Sequence, residues 1–340
     1  MKLAGAVLII VILGVVILVL WLYVKEKKLV SPAVNTNQEI EKPLLRYTYD
    51  ALSKTNFKLS EITLGKVISD KEDFISRIFY IDIESKKVSG LVNYPKAEGV
   101  YPIVVMFRGY VDKEMYTTGI GTQRAGEEFV KNGFITIAPD FLGYGESDNP
   151  SENPMEERFQ TYVTALTLLV SVNSINNAFE INAVDTRADA DNISIWGHSN
   201  GGQIALTILE VAEKNYPTVL WAPVSKPFPY SILFYTDEFD DRGKMLRRVI
   251  AEFEQDYDVE NYSLTNYLKR INAPIQIHQG SADDAVPIDW SEELVDKLKD
   301  SKKDVEYFTY TGADHNLIPN GWQLAVNRSI EFYQNKATKN

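Results

Sequence analysis

Short, continuous apolar runs separated by stretches of helical period dominate this chain. The runs fall at residues 103–107, 134–138, 193–196, 219–222, 275–278 and 305–310. Between them, apolar positions recur at three- and four-residue spacing over 124–131, 158–172, 203–214, 290–298 and 322–333, the period of a helix with one buried face. Short buried strands that alternate with helices predict a parallel sheet covered on both faces. Ahead of them, 77–83 and 87–92 alternate like half-buried strands, and Glu84-Ser85-Lys86 between them reads as a hairpin turn. The pattern thus predicts an α/β fold with about eight strands, mostly parallel, and helices on both faces.

Two stretches depart from this rhythm. Residues 4–24 form one uninterrupted run rich in Val, Ile and Leu, with Trp21 and Tyr23 near its end and Lys25, Lys27 and Lys28 directly after it. About 20 apolar residues span a bilayer, so the run reads as an uncleaved N-terminal transmembrane helix. A secretory signal peptide cut near Ser31-Pro32-Ala33 is the alternative, but the run exceeds the usual apolar region of such signals. The expected organisation is an anchor with flanks over 1–30, a polar linker over 31–44 and one domain over 45–338, placed outside the cytoplasm with the lipid bilayer as a partner. The second departure, 223–268, is too long for a simple crossover and reads as an enlarged connection covering part of the sheet or as a cap-like insertion. Its acidic patch (Asp237, Glu238, Asp240, Asp241) suggests recognition of a substrate amine.

Composition narrows the chemistry. The 340 residues carry a formal net charge of −12, which argues against nucleic acid as a partner. There is no cysteine, so disulfides, thiolate metal sites and a cysteine nucleophile are excluded. Only three histidines occur, His198, His278 and His315. No metal or cofactor is expected.

The most informative stretch is Ile193-Ser194-Ile195-Trp196-Gly197-His198-Ser199-Asn200-Gly201-Gly202. It reads as a strand, a sharp turn and the start of a helix, the setting in which a Gly-x-Ser-x-Gly motif exposes a serine hydroxyl as a nucleophile. Such a serine needs a base and an acid. His315 follows the last strand, in Gly312-Ala313-Asp314-His315, and is the candidate base. The candidate acid is Asp283, in Gly280-Ser281-Ala282-Asp283-Asp284, with Asp284 as its competitor. Ser199, then an acid, then His315 is the chain order of α/β-hydrolases. The backbone N–H groups of Asn200 and Tyr110 are the candidate oxyanion donors. Arg108 and Trp221 are candidate pocket residues, and Asp140 reads as a loop-organising carboxylate.

With these pieces in hand, the chain resembles the α/β-hydrolase superfamily. Within it, the chain is most similar to the catalytic domain of the prolyl oligopeptidase family and its dienelactone-hydrolase-like relatives. The matching segments are Ala138-Pro139-Asp140-Phe141-Leu142-Gly143-Tyr144-Gly145-Glu146-Ser147, Trp196-Gly197-His198-Ser199-Asn200-Gly201-Gly202, His278-Gln279-Gly280-Ser281-Ala282-Asp283-Asp284-Ala285-Val286-Pro287 and Asp314-His315. The resemblance implies the α/β-hydrolase fold and favours Asp283 over Asp284, because the family's acid stands three residues after the loop glycine. It departs at Arg108, where many relatives have histidine, and at Asn200, where the peptidases often have tyrosine or methionine. Only about 70 residues precede the third strand after the apolar run, too few for the family's β-propeller. The expected function is therefore a serine hydrolase that cleaves ester or short-peptide bonds through an acyl-enzyme. An acyltransferase or a non-catalytic ligand-binding scaffold on the same fold is the alternative.

Overall fold

The structure is a computed structural model and describes residues 41–337. Its contacts separate residues 1–42 from a unit that begins at Pro43, and that second unit holds every element of the sheet and its helices. The apolar run at 4–24 lies outside the described residues. Among the described residues no helix is long and apolar enough to cross a membrane, and the expected bilayer contact has no support there.

The sheet has nine strands, not about eight. In chain order they are β1 (Thr63–Asp70), β2 (Phe74–Ile83), β3 (Lys86–Pro95), β4 (Gly99–Phe107), β5 (Ile135–Pro139), β6 (Thr186–His198), β7 (Thr218–Trp221), β8 (Ile275–Gly280) and β9 (Val305–Tyr310). They lie side by side as β1-β2-β3-β5-β4-β6-β7-β8-β9. The first three are antiparallel to their neighbours, and the six from β5 to β9 run parallel. The additional strand is β1. It is an edge strand, largely exposed, with register irregularities on both sides of Val67. A strand open to water on one edge has no continuous apolar run, which is the signal that identifies the others.

Nine helices accompany the sheet: α1 (Tyr49–Lys54), α2 (Gln123–Lys131), α3 (Pro154–Ser171), α4 (Ile175–Ile181), α5 (Asn200–Ala212), α6 (Tyr230–Leu233), α7 (Lys244–Asp256), α8 (Ile288–Asp300) and α9 (Trp322–Ala337) among the described residues. Because side chains alternate along a strand, β4 supplies both faces. Ile103, Val105 and Phe107 join one apolar cluster with residues of α3, α5 and α8, whereas Val104 and Met106 join another with residues of α2 and α9. Those two clusters are the hydrophobic layers that hold the strand ends in place.

The segment read as a cap-like insertion packs on helices. Phe228, Phe253 and Tyr262 cluster around Phe159 of α3, and Phe234 packs against Trp290 of α8 at 4.8 Å between ring centroids. Burial of these rings explains why the insertion is ordered without strands of its own.

Candidate active site

β6 ends at His198, and Ser199 sits between it and α5 with φ 56° and ψ −120°, a backbone conformation that a non-glycine residue rarely adopts. Surrounding hydrogen bonds hold it there. Ser199 N donates to Trp221 O at 2.9 Å, while Ser199 O accepts from Gly202 N at 2.9 Å and Val224 N at 3.0 Å. The turn also demands Gly201, because a Cβ there would stand 1.9 Å from Phe107 O. Asn200 is the first residue of α5, so its N–H belongs to the end of the helix that lacks intrahelical acceptors. The loop after β4 passes directly beside the serine: a Cβ on Gly109 would lie 3.0 Å from Ser199 Cβ and 3.5 Å from its Oγ. Tyr110, the next residue, is largely exposed, and its hydroxyl donates to Asp112 Oδ1 at 2.8 Å.

Asp283 and His315 come together beyond β8 and β9. His315 Nδ1 lies 2.9 Å from Asp283 Oδ2 and 3.1 Å from Oδ1. A carboxylate only accepts, so Nδ1 carries the proton and a neutral ring leaves Nε2 free to take one. Asp283 Oδ1 also accepts from Ala285 N at 3.0 Å and Val286 N at 2.8 Å, and Oδ2 accepts from Gln279 Nε2 at 2.9 Å. Burial alone would raise this carboxyl, but His315, the Val286 N–H and the Gln279 amide outweigh it and hold it below the ordinary aspartate value. Asp284 is exposed. Asp314 serves its own turn, accepting from Asn316 N and Ile318 N. The two loops are tied together: Ala282 N donates to Ala313 O at 2.9 Å, and Gly312 N donates to Ser281 Oγ at 2.8 Å. Among the described residues, Ser199 Oγ makes no hydrogen bond to His315; such contacts are often loose without substrate.

The other two histidines have separate surroundings. His198 Nε2 donates to the backbone oxygen of His315 at 2.9 Å, and the two rings lie 4.7 Å apart. Burial, helped by the neighbouring His315, lowers His198 to about 4. His278 is fully buried between Tyr310 OH at 2.7 Å and Gln276 Oε1 at 2.8 Å, and burial lowers it to about 3. Asp140 is buried and accepts from the hydroxyls of Ser89, Tyr116 and Thr118. Burial raises its carboxyl despite these donors and the nearby Arg108.

Two cavities flank the serine turn. One, of about 210 Å³, is lined by Arg108, Tyr110, Tyr144, Arg158, Tyr162 and Asn200, among others. The other, of about 480 Å³, is lined by Trp196, His198, Trp221, Trp322, Arg124 and Ile318, among others. Arg108 and Trp221, expected together in one pocket, therefore belong to different cavities. Trp221 shares its side of β7 with Val219, in the cluster that faces α2 and α9. Arg108, by contrast, stands past the end of β4 at Phe107, where strand alternation no longer sets its direction, and its guanidinium lies over the Tyr144 ring and donates to the Asp140 carbonyl. Among the described residues, none of 223–268 lines the cavity that holds Arg108. Asp241 caps the start of α7 through Gly243 N and Met245 N, and the Asp237 side chain is 90% exposed near Arg247, so neither faces that cavity. Sequence reasoning passed over Gln279, whose buried amide also accepts from Ser291 Oγ at 2.7 Å and so orients the Asp283 carboxylate. A polar residue in an otherwise apolar buried strand was the available signal.

The model of the prolyl oligopeptidase family matches residues 127–340. An uncharacterized peptidase of Bacillus subtilis, YtmA, is 26% identical over 255 residues, covering 74% of this chain and 90% of its own. Among solved structures, an acetyl xylan esterase from Paenibacillus sp. R4 superimposes with a TM-score of 0.62 at 18% identity, covering 84% of this chain and 92% of its own. A puromycin-hydrolyzing peptidase of Mycobacterium tuberculosis gives 0.53 at 20% identity over 77% of this chain and 39% of its own. At these identities the structural likenesses speak for the fold.

Proposed function

The chain belongs to the prolyl oligopeptidase family and is a serine hydrolase of ester or peptide bonds; from that premise we propose that Ser199, His315 and Asp283 form its catalytic triad and that the reaction passes through an acyl-enzyme. The observation that carries this reading is the His315–Asp283 pair, with Nδ1 engaged and Nε2 free, on the same sheet edge as the Ser199 turn. In this mechanism His315 Nε2 takes the proton from Ser199 Oγ as the oxygen attacks the substrate carbonyl, and returns it to the leaving alcohol or amine. Asp283 fixes the ring's tautomer and stabilises the imidazolium. The developing oxyanion is met by the N–H groups of Asn200 and Tyr110, with the N-terminus of α5 adding to the field. Water, activated by the same His315, then hydrolyses the acyl-enzyme.

The bond class is tested by a side-by-side assay of 4-nitrophenyl esters against aminoacyl and dipeptidyl 4-nitroanilides. Hydrolysis of at least one class, abolished in Ser199→Ala, is the expected result. Equal hydrolysis by wild type and Ser199→Ala sinks the proposed nucleophile. The small 210 Å³ cavity beside Asn200 supports short acyl groups as the better substrates.

A further inference from the structure

The cavity beside Asn200 is lined by two guanidinium groups, Arg108 and Arg158, and by one carboxylate, Glu157, among the described residues. Arg158, on α3, is partly buried and forms no ion pair among the described residues. Its Nη2 donates to Gln203 Oε1 at 3.1 Å, and the Gln203 amide donates in turn to Tyr162 OH at 3.1 Å, so the guanidinium is held from below. Its Nε is shielded from solvent and has no partner. Arg108, on the same wall, is buried. It lies between the rings of Tyr144 and Tyr116, at 4.1 and 4.5 Å from their centroids. Arg108 spends its Nη donors on the carbonyls of Gly109 and Asp140, and its Nε is also unpartnered. The carboxylate of Asp140 is occupied by three hydroxyls. The acid that lines the cavity, Glu157, is engaged by Lys113 at 2.9 Å.

A guanidinium donor left unpaired where water is scarce is costly, and a planar carboxylate is the group that matches it best. Because Asn200 and Tyr110 also line this cavity, its contents adjoin the atoms that would hold the oxyanion. We propose that the cavity is an acyl-side subsite for a substrate that carries a carboxylate, with Arg158 as the pairing residue and Arg108 adding positive potential. This inference rests on the reading of Ser199 as nucleophile and deepens it by naming the substrate's charge.

The test uses mono-4-nitrophenyl esters of succinate, glutarate and adipate against 4-nitrophenyl butyrate, pentanoate and hexanoate. The wild type is expected to prefer the anionic member of at least one pair. A charge-assisted hydrogen bond contributes about tenfold to a hundredfold, so Arg158→Gln should lower that preference by this factor, mainly through KM, and Arg158→Lys should restore part of it. A second measurement needs no turnover: calorimetric binding of free glutarate to Ser199→Ala, expected to weaken about tenfold or more when Arg158→Gln is added. Equal kcat/KM for anionic and neutral esters, or glutarate binding that ignores Arg158→Gln, overturns the subsite. Glutarate binding that depends on Arg158, without hydrolysis of any ester or anilide, would instead overturn the nucleophile and leave the subsite standing.

Discussion

Asp283 presents both carboxylate oxygens to His315 Nδ1, at 2.9 and 3.1 Å, with none of its side-chain surface open to solvent. Its neighbour Asp284 is exposed, and no side-chain hydrogen bond reaches it among the described residues. In a triad that works as proposed, Asp283→Asn loses the charge and turns the tautomer preference around. It should lower kcat by about 10⁴-fold, while Asp284→Asn should stay within a few-fold of wild type. Comparable losses in both variants would reassign the acid. The depressed Asp283 carboxyl also has a stability consequence. Its contribution is complete above the unfolded aspartate value, about 3.9, and is lost as pH falls through its lower folded value. Melting midpoints of wild type and Asp283→Asn should therefore converge in acid below that window. A gap that stays constant down to acid pH would contradict it.

Two glycines near Ser199 should respond differently to a single methyl group. In Gly201→Ala the new Cβ meets backbone, 1.9 Å from Phe107 O, so the turn itself must move. A loss of about 1–3 kcal/mol or more in stability is expected by denaturant unfolding. In Gly109→Ala the new Cβ meets Ser199 Cβ at 3.0 Å, a contact that a small shift relieves. That variant should unfold close to wild type yet lose activity. Full activity in Gly109→Ala would show that this loop does not govern the serine.

The buried histidines make stability depend on pH above the carboxylate range. Burial holds His198 at about 4 and His278 at about 3, whereas an unfolded histidine sits near 6.5. Between those values the unfolded chain binds more protons, so stability rises with pH, by at most about 1.4 kcal/mol per pH unit for each group. His278→Gln should flatten part of that slope between pH 4 and 6.5. An unchanged slope would mean that His278 is not neutral in its pocket.

His198 should act through His315. Its Nε2–H holds the His315 carbonyl at 2.9 Å, and His198→Phe removes that hold while keeping a ring in place. The expected result is a lower kcat with reaction of the serine toward a fluorophosphonate slowed but present. Loss of that reaction as complete as in His315→Ala would make His198 the base.

Much of the candidate site was legible because its residues stand where patterns change. Ser199, Asp283 and His315 each follow an apolar run that ends abruptly, and motif and chain order did the rest. What escaped did so for physical reasons. The edge strand β1 lacks a buried run. Trp221 and Arg108 line separate cavities because Arg108 stands past the end of β4, where strand alternation no longer aims the side chain. Arg158 looks like any cation on a helix until the fold shows that Gln203 holds it and that no ion pair engages it among the described residues. The insertion at 223–268 was legible by its length, but the packing of its aromatic residues on α3 and α8 was not, because ring contacts between distant segments leave no local pattern.

The proposed nucleophile is tested most directly by covalent labelling. Wild-type protein treated with a fluorophosphonate should gain one adduct by intact mass, mapped to the peptide that contains Ser199, and Ser199→Ala should gain none. Undiminished labelling of Ser199→Ala, or an adduct mapped to another residue, would contradict the account.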